Sequence, residues 1–192
     1  GLVERYDDAE WQTPATQLSP LVAAWLAEQP GAALDPAWLR AAADYQQWLY
    51  DYERPVLGQA ITLHRALTRA GRQTAADKLA LDDIIWLLNR IGLYRVLLDE
   101  WLPALRESAD DRIRSAGLGW SGRCHRALGE YAPALAFHQQ ALAIRRAIGD
   151  RAGEGATLNN ISQIYDAQGD YPTALDFLRQ SLAIQRAIGD RA

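Results

Sequence analysis

In the C-terminal part of the chain, apolar positions return at intervals of three and four. Leu158, Ile161, Ile164 and Tyr165 form one stripe, and Ala174, Leu175, Leu178, Leu182 and Ile184 form the next. That period places each set on one face of an amphipathic helix. Between the stripes stands Gly169-Asp170-Tyr171-Pro172. Glycine suits the left-handed residue just past a helix end, aspartate caps a helix start, and proline is tolerated in a first turn, where no intrahelical donor is lost. The spacing predicts one helix ending at Gly169 and a second from about Tyr171 to Ile188, with Gly189-Asp190 closing the unit.

The same grammar occurs 40 residues earlier: residues 111–150 and 151–190 align without a gap. The alignment pairs Leu118 with Leu158, Ala127 with Ala167, Gly129 with Gly169, Tyr131 with Tyr171, Ala134 with Ala174 and Phe137 with Phe177, and both units end in the same LAI-RAIGD pattern. A fixed period of this length means stacked units, each burying its apolar face on its neighbours. The predicted fold class is therefore all-α, an α-solenoid of antiparallel helix pairs. A worn third copy is expected over 77–110, where Gly92-Leu93-Tyr94 aligns with Gly169-Asp170-Tyr171 and brings Leu81, Ile84 and Leu88 opposite Leu158, Ile161 and Tyr165. Its second helix is shorter, from Tyr94 to about Ser108.

Upstream, residues 19–76 are expected to form an N-terminal helical segment. Ser19-Pro20 and Asp35-Pro36 each place a capping residue before a first-turn proline, and Arg54-Pro55 separates two further helices. The expected helices run from Ser19 to Glu28, Asp35 to Asp51 and Pro55 to Arg69. Residues 1–18 are polar and aperiodic and are expected to be an irregular lead-in. Arg191-Ala192 repeats Arg151-Ala152 and reads as the start of a further, truncated repeat, so the sequence is expected to be a piece of a longer protein. Trp25, Trp38, Trp48, Trp86 and Trp101 all precede the clear repeats and are expected to fill helix junctions, with ligand stacking as the alternative.

Composition narrows the function classes. Of 20 basic residues only Lys78 is lysine, and the formal charge is −4, so no basic tract exists to neutralise a row of phosphates and nucleic acid is not an expected partner. The single Cys124 cannot form an internal disulfide, and neither a secretory leader nor a membrane span is expected. A cytoplasmic protein without membrane contact is expected.

At ATLNNISQIYDAQGDYPTAL the sequence resembles the tetratricopeptide repeat, in the longer variety seen in kinesin light chains and in bacterial signalling proteins. The resemblance covers 111–190, weakens over 77–110 and is absent before that. It implies a right-handed superhelix whose first helices line a concave groove that holds a peptide or a partner protein. The implied groove positions are Asp82, Asp83, Trp86 and Asn89 in the worn copy, Gly119, Trp120, Arg123 and Arg126 in the middle unit, and Asn159, Asn160, Gln163 and Asp166 in the last. An asparagine there can pair both its amide and its carbonyl with a ligand backbone. Arg123 and Arg126, three apart, share a helix face and can clamp a carboxylate. Alternatively these side chains are only a solvated face, or the arginines pair internally with Asp82, Asp83 or Asp166. His125 and His138 replace an aromatic and an apolar residue at packing positions, which predicts a looser middle unit. The element order also resembles the sensor region that follows the ATPase core in bacterial signal-transduction ATPases, or that precedes caspase-like proteases. The competing function is a self-associating scaffold, a homodimer through the uncapped C-terminal helix with Leu175, Leu182 and Ile184.

No arrangement reads as catalytic or cofactor-binding. Gly117-Leu118-Gly119-Trp120-Ser121-Gly122 spells a phosphate-cradling fingerprint but lies inside a predicted helix instead of after a strand, so Gly122 is expected to permit close helix packing. Cys124 and His125 are helix neighbours that point apart, and His125 is expected in the core. His64, His125 and His138 fall on separate helices without metal-ligand spacing. An enzyme, a metal site and a cofactor are not expected.

Overall fold

The computed structural model describes residues 3–8, 13–18, 36–52 and 57–189. The chain divides into two compact units, Gly1–Trp38 and Leu39–Ala192. In the first, β1 (Val3–Asp8) pairs antiparallel with β2 (Thr13–Leu18), in a register that sets Val3 opposite Leu18 and Tyr6 opposite Ala15. This corrects the expected irregular lead-in. Val3, Tyr6, Thr13 and Thr16 favour extended backbone, and strands this short carry too little alternation to register as a period. The helix expected from Ser19 to Glu28 lies outside the described residues.

Everything described from Pro36 onward is helical. The chain continues as α1 (Pro36–Tyr52) and α2 (Leu57–Arg69), close to the two expected helices. Residues 73–106 follow as two interrupted rods. The first is α3 (Gln73–Leu79), a π-helical turn Ala80–Ile84 and α4 (Ile85–Arg90); the second is α5 (Tyr94–Val96), a π turn Leu97–Trp101 and α6 (Leu102–Arg106). Two complete pairs complete the stack: α7 (Asp111–Ala127) with α8 (Tyr131–Ala147), and α9 (Arg151–Ala167) with α10 (Tyr171–Gly189). The result is an all-α solenoid of consecutive helix pairs.

Five helix ends are built identically. Gly71, Gly92, Gly129, Gly149 and Gly169 take φ between 70° and 81°, and the residue after each donates back to the carbonyl five positions earlier, as Glu130 N does to His125 O at 2.8 Å and Asp170 N to Tyr165 O at 2.9 Å. This is the Schellman closure, which satisfies carbonyls that a helix end leaves open. Asp110 Oδ1 accepts from the Arg112 and Ile113 amides, and Asp150 Oδ1 from Gly153 N, so both aspartates cap the helix that follows.

The core is not continuous. One apolar cluster runs from Ala60 through Ile84, Ile85, Leu97, Leu102 and Leu105 to Ile113 and Cys124; another joins Leu142, Leu158, Ile161 and Ile184; they share no residue. The layer where α7 meets α8 is filled instead by small and polar side chains, among them Ser121, Gly122, Ala134 and His138. Trp101 packs into the first cluster and meets His64 edge-on at 4.9 Å, as a junction filler should. Trp48 and Trp86, 56% and 51% exposed, do not fill junctions, which corrects that expectation. The Trp25 and Trp38 side chains lie outside the described residues.

Candidate functional site

The 40-residue period allows exposure to be compared position by position. On α7 the exposed residues are Arg112, Arg123 and Ala127, with Trp120 half-buried; on α9 they are Arg151, Ala152, Ala156, Gln163, Asp166 and Ala167, with Asn160 half-buried. Trp120 and Asn160 are equivalents, as are Arg123 and Gln163, so these four groove candidates occupy one side of the stacked first helices.

Of the remaining candidates in these two units, Asp166 is exposed, Asn159 and Arg126 are half-buried and Gly119 is buried. Gly119 is buried, and a Cβ there would lie 3.4 Å from the Arg145 guanidinium of α8, so it offers no ligand surface; this corrects its placement in the groove. Arg126 is half-buried, and its Nε is a buried donor without a partner among the described residues. Asn159 and Asp166 join Ser162, Gln163 and the α10 residues Tyr171, Ala174, Leu175 and Leu178 around an open depression of about 460 Å³. A smaller depression of about 180 Å³ gathers Asp82, Asp83 and Trp86 with Tyr50, Leu57, Ala60 and Leu87. Burial first, then a hydrogen bond to Asp83, pushes the Tyr50 hydroxyl up to about 12. Asn89 is half-buried and lines neither depression.

Arg123 lays its guanidinium 4.2 Å from the centre of the Trp120 ring, a cation–π contact that fixes both side chains on the open side. Among the described residues neither Arg123 nor Arg126 has an ion pair, so the internal pairing with Asp82, Asp83 or Asp166 does not occur. Burial and then the Arg126 charge lower the Arg123 pKa. Two cations without a counter-ion make this the most anion-receptive part of the first-helix side.

Beside them the middle unit packs closely, against the looseness its two histidines suggest. His138 is 0% exposed and its ring lies over Gly122; a Cβ on that glycine would come within 2.7 Å of the imidazole. The missing side chain on α7 makes room for the extra one on α8. Neither ring nitrogen has a hydrogen-bond partner among the described residues. Burial, and then the charges of Arg145, Arg126 and Arg123, lower the His138 pKa to about 4, so the ring is neutral at pH 7. His125 stacks on Phe137 at 5.2 Å as Tyr165 stacks on Phe177 at 5.6 Å, so imidazole substitutes for phenol without loss of the aromatic pair. Its Nδ1 also meets Glu130 Oε2 at 2.5 Å; that bond first, and Arg95 after it, hold the Glu130 carboxyl below its usual range. Cys124 is buried with its thiol pushed up to about 11, so it is no nucleophile at neutral pH.

One group of polar residues was not anticipated. Arg145 Nη1 donates to Gly153 O at 2.8 Å and to Thr157 Oγ1 at 2.6 Å, and Arg146 Nε pairs with the buried Glu154 at 2.8 Å, which fastens α9 onto α8. The available signal was the one change inside the shared ending, Arg145 against Gln185.

No helix among the described residues is long and apolar enough to cross a membrane. No curated protein matches the sequence. A family model for the tetratricopeptide repeat matches residues 114–187.

Proposed function

We propose that the chain is a non-enzymatic interaction module that holds an extended acidic segment of a partner protein along its first helices. Tetratricopeptide repeats generally mediate protein–protein interaction. The observation that carries the reading is the Trp120–Arg123 platform with Arg126 beside it, two cations with no carboxylate partner among the described residues. An acidic ligand side chain supplies the missing counter-charge through charge-assisted hydrogen bonds. One repeat further on, Asn160 and Gln163 each offer an amide donor and a carbonyl acceptor to a peptide backbone. Screening an array of acidic, neutral and basic peptides tests this directly. Acidic peptides are expected to be retained selectively, and Arg123→Ala with Asn160→Ala is expected to weaken capture by about 10- to 100-fold, the loss of one or two charge-assisted bonds. Retention indifferent to peptide charge, or unchanged in the double variant, rejects the reading.

The 40-residue period supports assigning the repeats to the longer, kinesin-light-chain-like variety, and the helical segment ahead of them supports a sensor role within a larger bacterial signalling protein. The complete reading frame tests the second point: an adjoining ATPase or protease domain is the expected finding, and a frame that encodes no effector removes it.

A further inference from the structure

We infer that the seam between α7 and α8 takes a phosphate group, held by Arg123, Arg126 and Arg145. The inference rests on the reading of α7 as an anion-binding helix, and it sharpens the anion from a carboxylate to a phosphate. Gly119, Gly122, Arg123 and Arg126 stand at i, i+3, i+4 and i+7, so they share one face of α7. That face meets α8: a Cβ on Gly119 would lie 3.4 Å from the Arg145 guanidinium, and one on Gly122 would lie 2.7 Å from the His138 ring. The two glycines thus let α8 bring a third arginine and an imidazole up to the two arginines of α7. The charges of Arg145, Arg126 and Arg123 all act on His138, as groups gathered at one place do. They are graded in depth, from exposed Arg123 through half-buried Arg126 and Arg145 to fully buried His138.

None of the three arginines has an ion pair among the described residues. Asp150, whose charge acts on Arg145, is engaged by the Gly153 amide. Among the described residues Arg145 itself meets only neutral acceptors, Gly153 O at 2.8 Å and Thr157 Oγ1 at 2.6 Å. Buried nitrogens remain in the seam without partners among the described residues: Arg126 Nε, Arg145 Nε and both ring nitrogens of His138. Buried polar groups are ordinarily satisfied and buried charges compensated, so this set marks a place for an anion. A carboxylate brings one charge and two oxygens, which a single guanidinium fork already matches. A phosphate monoester brings a charge of about −1.5 to −2 and three strongly accepting oxygens, which suits three guanidinium groups. The last unit has Gln163, Asp166 and Gln185 at the three arginine positions and Leu178 for His138, so it lacks this set.

Isothermal titration calorimetry of the 192-residue chain tests this at about pH 7.5, where a phosphate monoester is close to its dianion. The probes are inorganic phosphate, an alanine pentapeptide with a central phosphoserine, and the same peptide with a central glutamate. The phosphopeptide is expected to bind one to one, about tenfold or more tighter than the glutamate peptide. Arg145→Gln installs the last unit's residue and keeps an amide to donate to Gly153 O. It should weaken the phosphopeptide by about tenfold or more and leave the glutamate peptide within about twofold, since Arg145 is no part of the Trp120–Arg123 platform. Arg126→Gln, at a partly exposed position, should weaken the phosphopeptide to the same degree and serves as the test should circular dichroism show the Arg145 variant unfolded. A phosphopeptide that binds far tighter than inorganic phosphate identifies a partner's modified side chain as the source, and equal affinity identifies free phosphate; both support the site. Equal affinity for the two peptides, or a folded variant that binds the phosphopeptide as the wild type does, overturns the inference while the acidic-segment reading stands. Absence of binding by either phosphate probe also overturns it, and the acidic-peptide array then decides the other reading separately.

Discussion

At the scale of single residues, the contact between Gly122 and His138 shows how two departures from the repeat pattern offset each other. The last unit has Ser162 and Leu178 at these places, and the middle unit exchanges bulk between the helices. Because the imidazole is fully buried it cannot yield, so Gly122→Ala is expected to cost about 1–3 kcal/mol, measured by urea denaturation. Adding His138→Leu to Gly122→Ser reproduces the other unit's pair and should recover part of the loss, a coupling above about 0.5 kcal/mol. His138 also makes stability depend on pH. Unfolded, it binds its proton near pH 6.5; folded, only near 4. Its contribution is complete above about pH 6.5 and declines as the pH falls through that interval, with nothing further lost below about 4. The full decline is about 3 kcal/mol. Comparing wild-type and His138→Leu unfolding between pH 7 and 4 isolates it, since the variant should lack that part of the slope. Candidate residues were legible as polar side chains at repeat positions. Which of them a neighbouring helix covers was not, because covering Gly119 depends on the reach of Arg145 from another helix.

At the scale of helices, glycines serve two ends that sequence distinguishes only in part. Glycines before an acidic residue at a stripe's end announce a turn, and Gly129, Gly149 and Gly169 all adopt positive φ there. Glycines within a stripe announce nothing certain. A Cβ on Gly117 would lie 2.8 Å from Leu105 Cβ and 3.1 Å from its carbonyl carbon, so α7 approaches α6 closely enough to exclude a side chain. Gly155 is different, for its nearest neighbour, Ile184 Cγ2, would stand at 3.4 Å. Gly117→Ala is thus expected to destabilise by about 1–3 kcal/mol, and Gly155→Ala to be neutral or to stabilise by up to about 1 kcal/mol through helix propensity. Thermal melts of the two variants check both signs. The π turns at Ala80–Ile84 and Leu97–Trp101 left no mark that a 3.6-residue period reveals, since an inserted residue looks like ordinary wear in a repeat. Asp82 and Asp83 fall within the first of them, which is why their alignment with Asn159 and Asn160 did not specify their surroundings.

At the scale of the whole molecule, equal sequence does not mean equal energy. The repeats supply Leu142 and Leu182 in the same words, LAI-RAIGD, yet α9 covers the first while the second stands on an uncovered helix face. In a stack, a unit's contribution is its own folding plus its interfaces with neighbours, so position along the array sets the worth of a side chain. Leu142→Ala opens a cavity between α8 and α9 and is expected to cost about 2–5 kcal/mol. Leu182→Ala removes a side chain that keeps 44% of its exposure, leaves no enclosed void, and should cost about 1 kcal/mol or less. Paired urea titrations of the two variants measure the difference.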